Sequence, residues 1–360
     1  MPRESFSCNE AQSALAEIKS LKGDFERAYA EAIRTGDLAH ANGLRSLIEQ
    51  KVISLREAVF PLERELNLKS QYESQKIILE KAGILEHLPS GEMGINGIDG
   101  KEYPIPSYQE IAQRMREKKE VLTQKKEQGF VKLLIVPFGM SLDSLTQEYS
   151  NLLLKHHNEG ELFATKENED DKNEPLVPLK LDVNVPVWRW NEYANADVNG
   201  KLIYEPKEFS QNHGGATKAD ILQNQKRERT PAWRILMVET NSNISRESQG
   251  KEVSGRKRLE ANQTPNDYLQ AIGKGSYDHE SGMTLEDWIA YAITNLQERN
   301  QITDDYQGNG SIAYNTGAYF PASSVVPYAY WNRGDRQACL SGNDPAIRGD
   351  NIGARSAVRV

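Results

Sequence analysis

The chain has 360 residues, 27% of them charged and 38% hydrophobic, and its 52 acidic and 44 basic side chains leave a net charge of −8. That balance excludes a general nucleic-acid binder, which needs a basic surface to neutralise phosphates. The two cysteines, Cys8 and Cys339, are too few and too far apart for a disulfide framework. No stretch has the apolar length of a signal peptide or a membrane span, so the default expectation is a cytoplasmic protein, with export by a non-standard route left open.

From residue 10 to 35 the apolar residues Leu15, Ile18, Leu21, Phe25, Tyr29 and Ile33 recur every three or four positions, the period of an amphipathic helix. Thr35-Gly36-Asp37 ends it. A second helix follows, with Leu44, Ile48, Val52, Leu55, Val59, Leu62 and Leu66 close to a heptad seam and Pro61 placed to kink or divide it. Helical text runs to about Leu85. The expectation is a helical hairpin of coiled-coil character over residues 1–87. A hairpin buries little alone, so it should oligomerise the chain or dock on a partner or the next domain. An ordinary helical subdomain is the alternative.

Leu88–Pro106 is rich in Gly and Pro and reads as a linker. Ser107, with Glu110 three residues on, forms a capping-box signature for a charged helix over Tyr108–Gln128, whose mixed Lys and Glu residues suit a solvated face. Residues 88–129 are therefore linker and charged helix.

Val131–Pro137 reads as a buried strand, followed by a helix from about Ser141 to His157. Adjacent His156 and His157 point about 100° apart on a helix and do not make a metal site. Glu169, Asp170 and Asp171 lie in an acidic loop without calcium-loop spacing. Val185–Trp190 reads as a strand with core tryptophans, and Phe209–Lys226 as a loop leading into a short helix. Pro231–Thr240 is a second buried strand, Thr264-Pro265 opens a short helix, and Thr284 opens another with Trp288, Ile289, Ala292 and Leu296 on its apolar face. Tyr306–Pro321 supplies turns and aromatic strands. The fold class is α+β.

The last forty residues carry the strongest signal. Val325–Trp331 and Ala354–Val360 flank Asn332–Asn351, which holds too many turn formers to be a regular element and is expected to be a long polar loop. From Arg299 to Val360 there is no Lys, Glu or Met. Scrambling the adenines of an AAC or AAT codon yields Asn, Asp, Tyr, Ser, Gly, Arg, Cys and Ala, and never Lys, Glu, Gln, Met or Trp.

The run W-N-R-G-D-R-Q-A-C-L at Trp331–Leu340, followed by I-G-A-R-S-A-V-R-V at Ile352–Val360, resembles the variable proteins of diversity-generating retroelements. In that family a reverse transcriptase rewrites the last codons by adenine mutagenesis. The resemblance covers about the last 60 residues strongly and residues 130–300 weakly, and does not reach the N-terminal helices. KLLIVPFGM, WRILMVETN and GNGSIAYNTGAYFPAS are similar to the form found in bacteria with small genomes.

The resemblance implies a C-type-lectin-like domain over residues 130–360, related to formylglycine-generating enzymes, with a variable region at about 321–360. Trp331, Gly334, Gln337, Ala338, Leu340, Gly353 and Arg355 would be scaffold. Tyr328, Tyr330, Asn332, Asp335, Cys339, Ser341, Gly342, Asn343, Asp344 and Asn351, all reachable from AAC or AAT, would line the ligand face. Tyr, Ser, Asn and Gly are the mixture that antibody loops use. The expected activity is binding of a macromolecular, most simply protein, target, with no cofactor, no metal and no nucleic acid. An altered formylglycine-generating-type enzyme is one alternative. It lacks the family's cysteine pair, because only Cys339 lies in this region. A structural adaptor acting through the N-terminal helices is another. No Walker loop, G-x-S-x-G, H-E-x-x-H or C-x-x-C is present.

Overall fold

A computed structural model of the chain describes residues 8–35, 38–59, 61–167, 171, 173–225 and 230–360. The turn at Gly36-Asp37 and the acidic residues Glu169 and Asp170 fall outside them. The chain divides into two compact units, Met1–Leu68 and Lys69–Val360.

In the first unit α1 (Cys8–Thr35) and α2 (Ala39–Val59) form a hairpin, and α3 (Pro61–Glu65) follows. Pro61 is the first residue of α3, where its missing N–H costs nothing. The seam is narrower than the sequence pattern predicts. Ile18, Leu21, Phe25, Leu44, Ile48 and Val52 are half-buried and Ala32 and Ala41 buried, whereas Leu15, Tyr29 and Ile33 are exposed. The heptad passes through Ala28 and Ala32, so Tyr29 and Ile33 fall one position beyond it.

The second unit begins earlier than the pattern implies. After α4 (Leu68–Lys81), the segment read as a linker is an antiparallel meander of β1 (Glu86–His87), β2 (Met93–Asn96) and β3 (Glu102–Pro104). Gly94 and Gly97 serve close packing, a Cβ on Gly94 standing 2.4 Å from the Tyr103 carbonyl oxygen, while Gly91 and Gly100 turn the chain at positive φ. Leu88, Ile95 and Tyr103 are buried on it. The expected single charged helix is two. Ser107 and Glu110 form the capping box of α5 (Tyr108–Glu117), the chain breaks at Lys118, and α6 (Lys119–Glu127) follows. The second helix is not wholly a solvated face, because Lys125 is 2% exposed and its Nζ sits 2.7 Å from Glu280.

The remaining elements, in order, are β4 (Lys132–Val136), α7 (Leu142–Asn158), β5 (Val187–Arg189), β6 (Ile203–Tyr204), β7 (Ala216–Thr217), α8 (Lys218–Asn224), β8 (Arg234–Val238), β9 (Glu252–Val253), β10 (Arg256–Lys257), α9 (Pro265–Ala271), β11 (Glu280–Gly282), α10 (Leu285–Arg299), β12 (Asp305–Tyr306), β13 (Ile312–Tyr314), β14 (Ala318–Tyr319), β15 (Val326–Asn332), β16 (Gln337–Asn343), β17 (Ile352–Ala354) and β18 (Ser356–Arg359). Ser141, Thr217, Thr264 and Thr284 cap α7, α8, α9 and α10 through their side-chain oxygens.

Two sheets hold the unit together. One is four-stranded in the order β11-β18-β8-β4, and the other runs β17-β13-β15-β16-β5, with β12 pairing β15. Every residue of α10 from Leu285 to Leu296 is buried, because the helix touches β4, α7 and β15 at once. Leu134, Val136, Leu236, Val238, Met283, Ala290, Tyr291 and Ala357 make the core beside it. Among the described residues no helix is long and apolar enough to cross a membrane.

The outer edge of β4 is closed by side chains instead of a strand. Gln71 accepts from the Leu133 N–H at 2.7 Å and donates to the Val131 carbonyl at 2.9 Å, and Gln75 accepts from the Ile135 N–H at 3.2 Å. Two amide side chains one helical turn apart thus copy a neighbouring strand on an edge that would otherwise expose its backbone. Replacing both Gln71 and Gln75 with Ala strands two buried N–H groups. A loss of about 1–3 kcal/mol for each is expected, read as a lower denaturant midpoint with an unchanged m-value.

Candidate functional site

The stretch read as a long polar loop contains a strand. β15 and β16 form a tight antiparallel hairpin in which Tyr328 faces Ser341, Tyr330 faces Cys339 and Asn332 faces Gln337. Turn formers such as Ser341, Gly342 and Asn343 become strand residues because their register with Tyr328, Pro327 and Val326 of β15 holds them extended. The structure confines the irregular chain to the four-residue turn 333–336 and to residues 344–351.

The pairing sorts the hairpin by parity, since alternate residues of a strand point to opposite faces. Ala329, Trp331, Ala338 and Leu340 share one face and are 0–1% exposed. Tyr328, Tyr330, Asn332, Gln337, Cys339, Ser341 and Asn343 share the other. Six of the ten expected ligand residues are therefore brought together. Asp335 stands in the turn, while Asp344 and Asn351 stand in the loop after β16. Two assignments fall on the wrong side. Gly342 lies on the packed face, where a Cβ would meet Val325 Cγ1 at 2.2 Å. Gln337, expected to be scaffold, lies beside Cys339 on the same face as Tyr328 and Tyr330 and is 9% exposed.

Four tyrosines run across the open face as a chain of ring contacts. Tyr306 meets Tyr330 edge-on at 5.5 Å, Tyr330 meets Tyr328 at 5.9 Å, and Tyr328 meets Tyr314 at 6.1 Å. The Tyr314 end is covered by a cluster with Phe209, Tyr268 and Tyr319, and Tyr306 at the other end is half-buried. Trp188, read as a core residue, sits beside Cys339 through the β5–β16 pairing and is 41% exposed. Burial pushes the Tyr314 phenol up to about 12 and raises that of Tyr330. No Lys, Arg, Asp or Glu stands among these face residues, so the surface is aromatic and hydrogen-bonding but uncharged.

The turn has its own chemistry. Asn332 Oδ1 accepts from the Asp335 N–H at 3.1 Å, and Asn332 Nδ2 donates to the Asp335 carboxylate at 2.8 Å. The Arg336 N–H closes onto the Asn332 carbonyl at 2.8 Å. The left-handed residue is Arg336, at φ 59°, and not Gly334. Arg333 is held by both oxygens of fully buried Asp305, at 2.8 and 2.6 Å.

Arg355, expected to be scaffold, is buried in a hydrogen-bond network. Its guanidinium takes both carboxylate oxygens of Asp304 at 2.7 and 3.2 Å and donates to the carbonyls of Asn241 and Ser242 at 2.7 Å. Trp288 Nε1 donates to the same carboxylate at 2.8 Å, and the Trp331 N–H reaches the Asp304 carbonyl at 2.9 Å. Burial raises the Asp304 carboxyl, while Arg355 and Trp288 pull it back. Gly353 is needed for packing: a Cβ there would stand 2.6 Å from Ile244 Cγ2.

Sequence reasoning missed Asp304, Asp305, Tyr306, Tyr314 and Trp188. Asp304 and Asp305 carry no readable signal, because an Asp-Asp pair reads as exposed. Trp188 could have been found, since Val187 and Arg189 alternate around it. Among the described residues no group of three or more His, Cys, Asp or Glu is placed to hold a metal. Buried His156 instead has its ring nitrogens 3.4 Å from the Glu161 carbonyl and from Gln297. No known protein family, curated protein or solved structure matches the chain.

Cys339 is 3% exposed rather than presented, and burial pushes its thiol up to about 11 from 9.0. A raised thiol favours the folded state below pH 9.0, and that contribution is lost as the pH climbs towards about 11. Alkylation by iodoacetamide at pH 8 is expected to be about 100-fold slower at Cys339 in the folded chain than in the urea-unfolded chain. Peptide mass mapping separates it from Cys8.

Proposed function

We propose that the C-terminal part of this chain is a C-type-lectin-like binding domain of a diversity-generating-retroelement variable protein, which presents an altered surface to a protein target. The observation that carries the reading is the parity of the β15–β16 hairpin. Tyr328, Tyr330, Asn332, Ser341 and Asn343, whose codons adenine mutagenesis reaches, stand on the open face. Trp331, Ala338 and Leu340 stand on the packed one. A strand pair is suited to such use, because one face can be rewritten while the other keeps the fold. Stiff tyrosines with small hydrogen-bonding neighbours bind protein surfaces at low entropic cost.

The uncharged face speaks against nucleic acid, which demands cations. A buried thiol that stays protonated at neutral pH speaks against the enzyme reading, which needs an available thiolate. Binding by a repeated weak surface would gain from the N-terminal hairpin if that hairpin joins chains.

The reading is tested in the DNA around the gene. A near-copy of its 3′ end beside a reverse transcriptase is expected, differing at adenine-bearing codons for Tyr328, Tyr330, Asn332, Ser341 and Asn343 and matching at Gly342 and Trp331. The absence of any such copy would leave a fixed protein and overturn the proposal.

A further inference from the structure

Among the described residues no strand pairs with the far side of β5, the last strand of the larger sheet. The Ala338 N–H donates to the Pro186 carbonyl and the Trp190 N–H to the Leu340 carbonyl, each at 2.9 Å. With Val187 paired to Ala338 and Arg189 to Leu340, this fixes the ladder. Trp188 spends both backbone groups on β16, while Val187 and Arg189 turn theirs away from it. Unpaired strand edges are normally blunted by charge. Here Val183, Asn184, Val185, Pro186, Val187 and Trp188 carry none, and the one charge on β5, Arg189, is paired with Asp143.

The same segment gathers exposed apolar side chains. Of the eight large hydrophobics exposed among the described residues of the second unit, five lie between positions 176 and 188: Leu176, Val177, Val183, Val185 and Trp188. Trp188 also belongs to the face that carries Tyr330 and Cys339, so edge and face are continuous.

We propose that β5 is a docking edge for an extended, uncharged segment of a protein partner, which adds to the sheet as its next strand and lays alternate side chains towards Trp188. A strand edge is complemented by another backbone, and an edge whose one charge, Arg189, is already paired with Asp143 favours a neutral segment. A second copy of the chain is the poorer occupant, because each carries a net charge of −8. The inference rests on the neighbouring face being a docking surface and names the chemistry of what docks there. The edge would hold any suitable backbone, and the diversified residues would choose among side chains.

The test is selection of displayed random peptides of about twelve residues on the full-length chain. Uncharged sequences with apolar or aromatic residues at alternate positions should be enriched. N-methylation of an amide that faces the edge should weaken such a peptide by about tenfold or more, while methylation of the next amide should not. Val187→Pro, which deletes an outward N–H, should weaken it similarly. The N-methylated peptides keep the test independent of how that variant folds. Three results would overturn the proposal: no enrichment, binding indifferent to N-methylation, or a self-associated chain that Val187→Pro returns to monomer in sedimentation. Tyr330→Ala separates the two readings. It should change which sequences are enriched, and if it does not while Val187→Pro abolishes binding, the edge stands and the ligand-face reading fails.

Discussion

Asp304 and Asp305 are two adjacent, fully buried carboxylates on which the C-terminal segment hangs. Asp304, in a left-handed backbone conformation at φ 53°, grips Arg355 and Trp288. Asp305 grips Arg333 in the hairpin turn. The arginine entering β18 and the turn between β15 and β16 are thus fastened to one point at the end of α10. Such pairs cost desolvation to form, but losing one partner strands a buried charge, a penalty of about 3–5 kcal/mol. The pairs therefore specify where the hairpin sits more than they stabilise the unit. Gly308 belongs to the same device, because a Cβ there would meet the Arg333 guanidinium.

With the turn and the far end fixed, the hairpin has one packed and one open face. Trp331, Ala329, Ala338 and Leu340 bury its inner side. The outer side inherits its plane from that packing and needs little from its own residues. Tyr306 and Trp188 extend it onto neighbouring strands from outside the last forty residues. The proposed ligand surface thus draws on aromatic residues from outside the last forty as well as on those within it.

Much of the fold was legible. Capping signatures at Ser107, Thr264 and Thr284 and the apolar runs at 132–136 and 234–238 are local signals, and each marks the element the structure contains. Leu88–Pro106 and Gln337–Asn343 were not legible as strands. Their Gly, Ser and Asn residues are tolerated only because a neighbouring strand satisfies the backbone, and a single sequence does not display its neighbour. Within the candidate site, six of the ten residues that the codon argument proposes for the ligand face share the open face of the hairpin, whereas Gly342 lies on the packed face; Cys339, though on the open face, is buried. Asp304 and Asp305, whose partners are Arg355, 51 residues away, and Arg333, 28 residues away, lie outside the reach of the codon argument.

The central claim is that strand parity divides the hairpin into a rewritable and a fixed face. A scan of all substitutions over residues 326–343, read as folded abundance, tests it most directly. Tyr328, Tyr330, Ser341 and Asn343 should accept most residues, whereas Ala329, Trp331, Ala338, Leu340 and Gly342 should accept few, with losses of about 3–5 kcal/mol for truncating Trp331. Tolerance that failed to alternate, or that placed Gly342 among the free positions, would contradict the account.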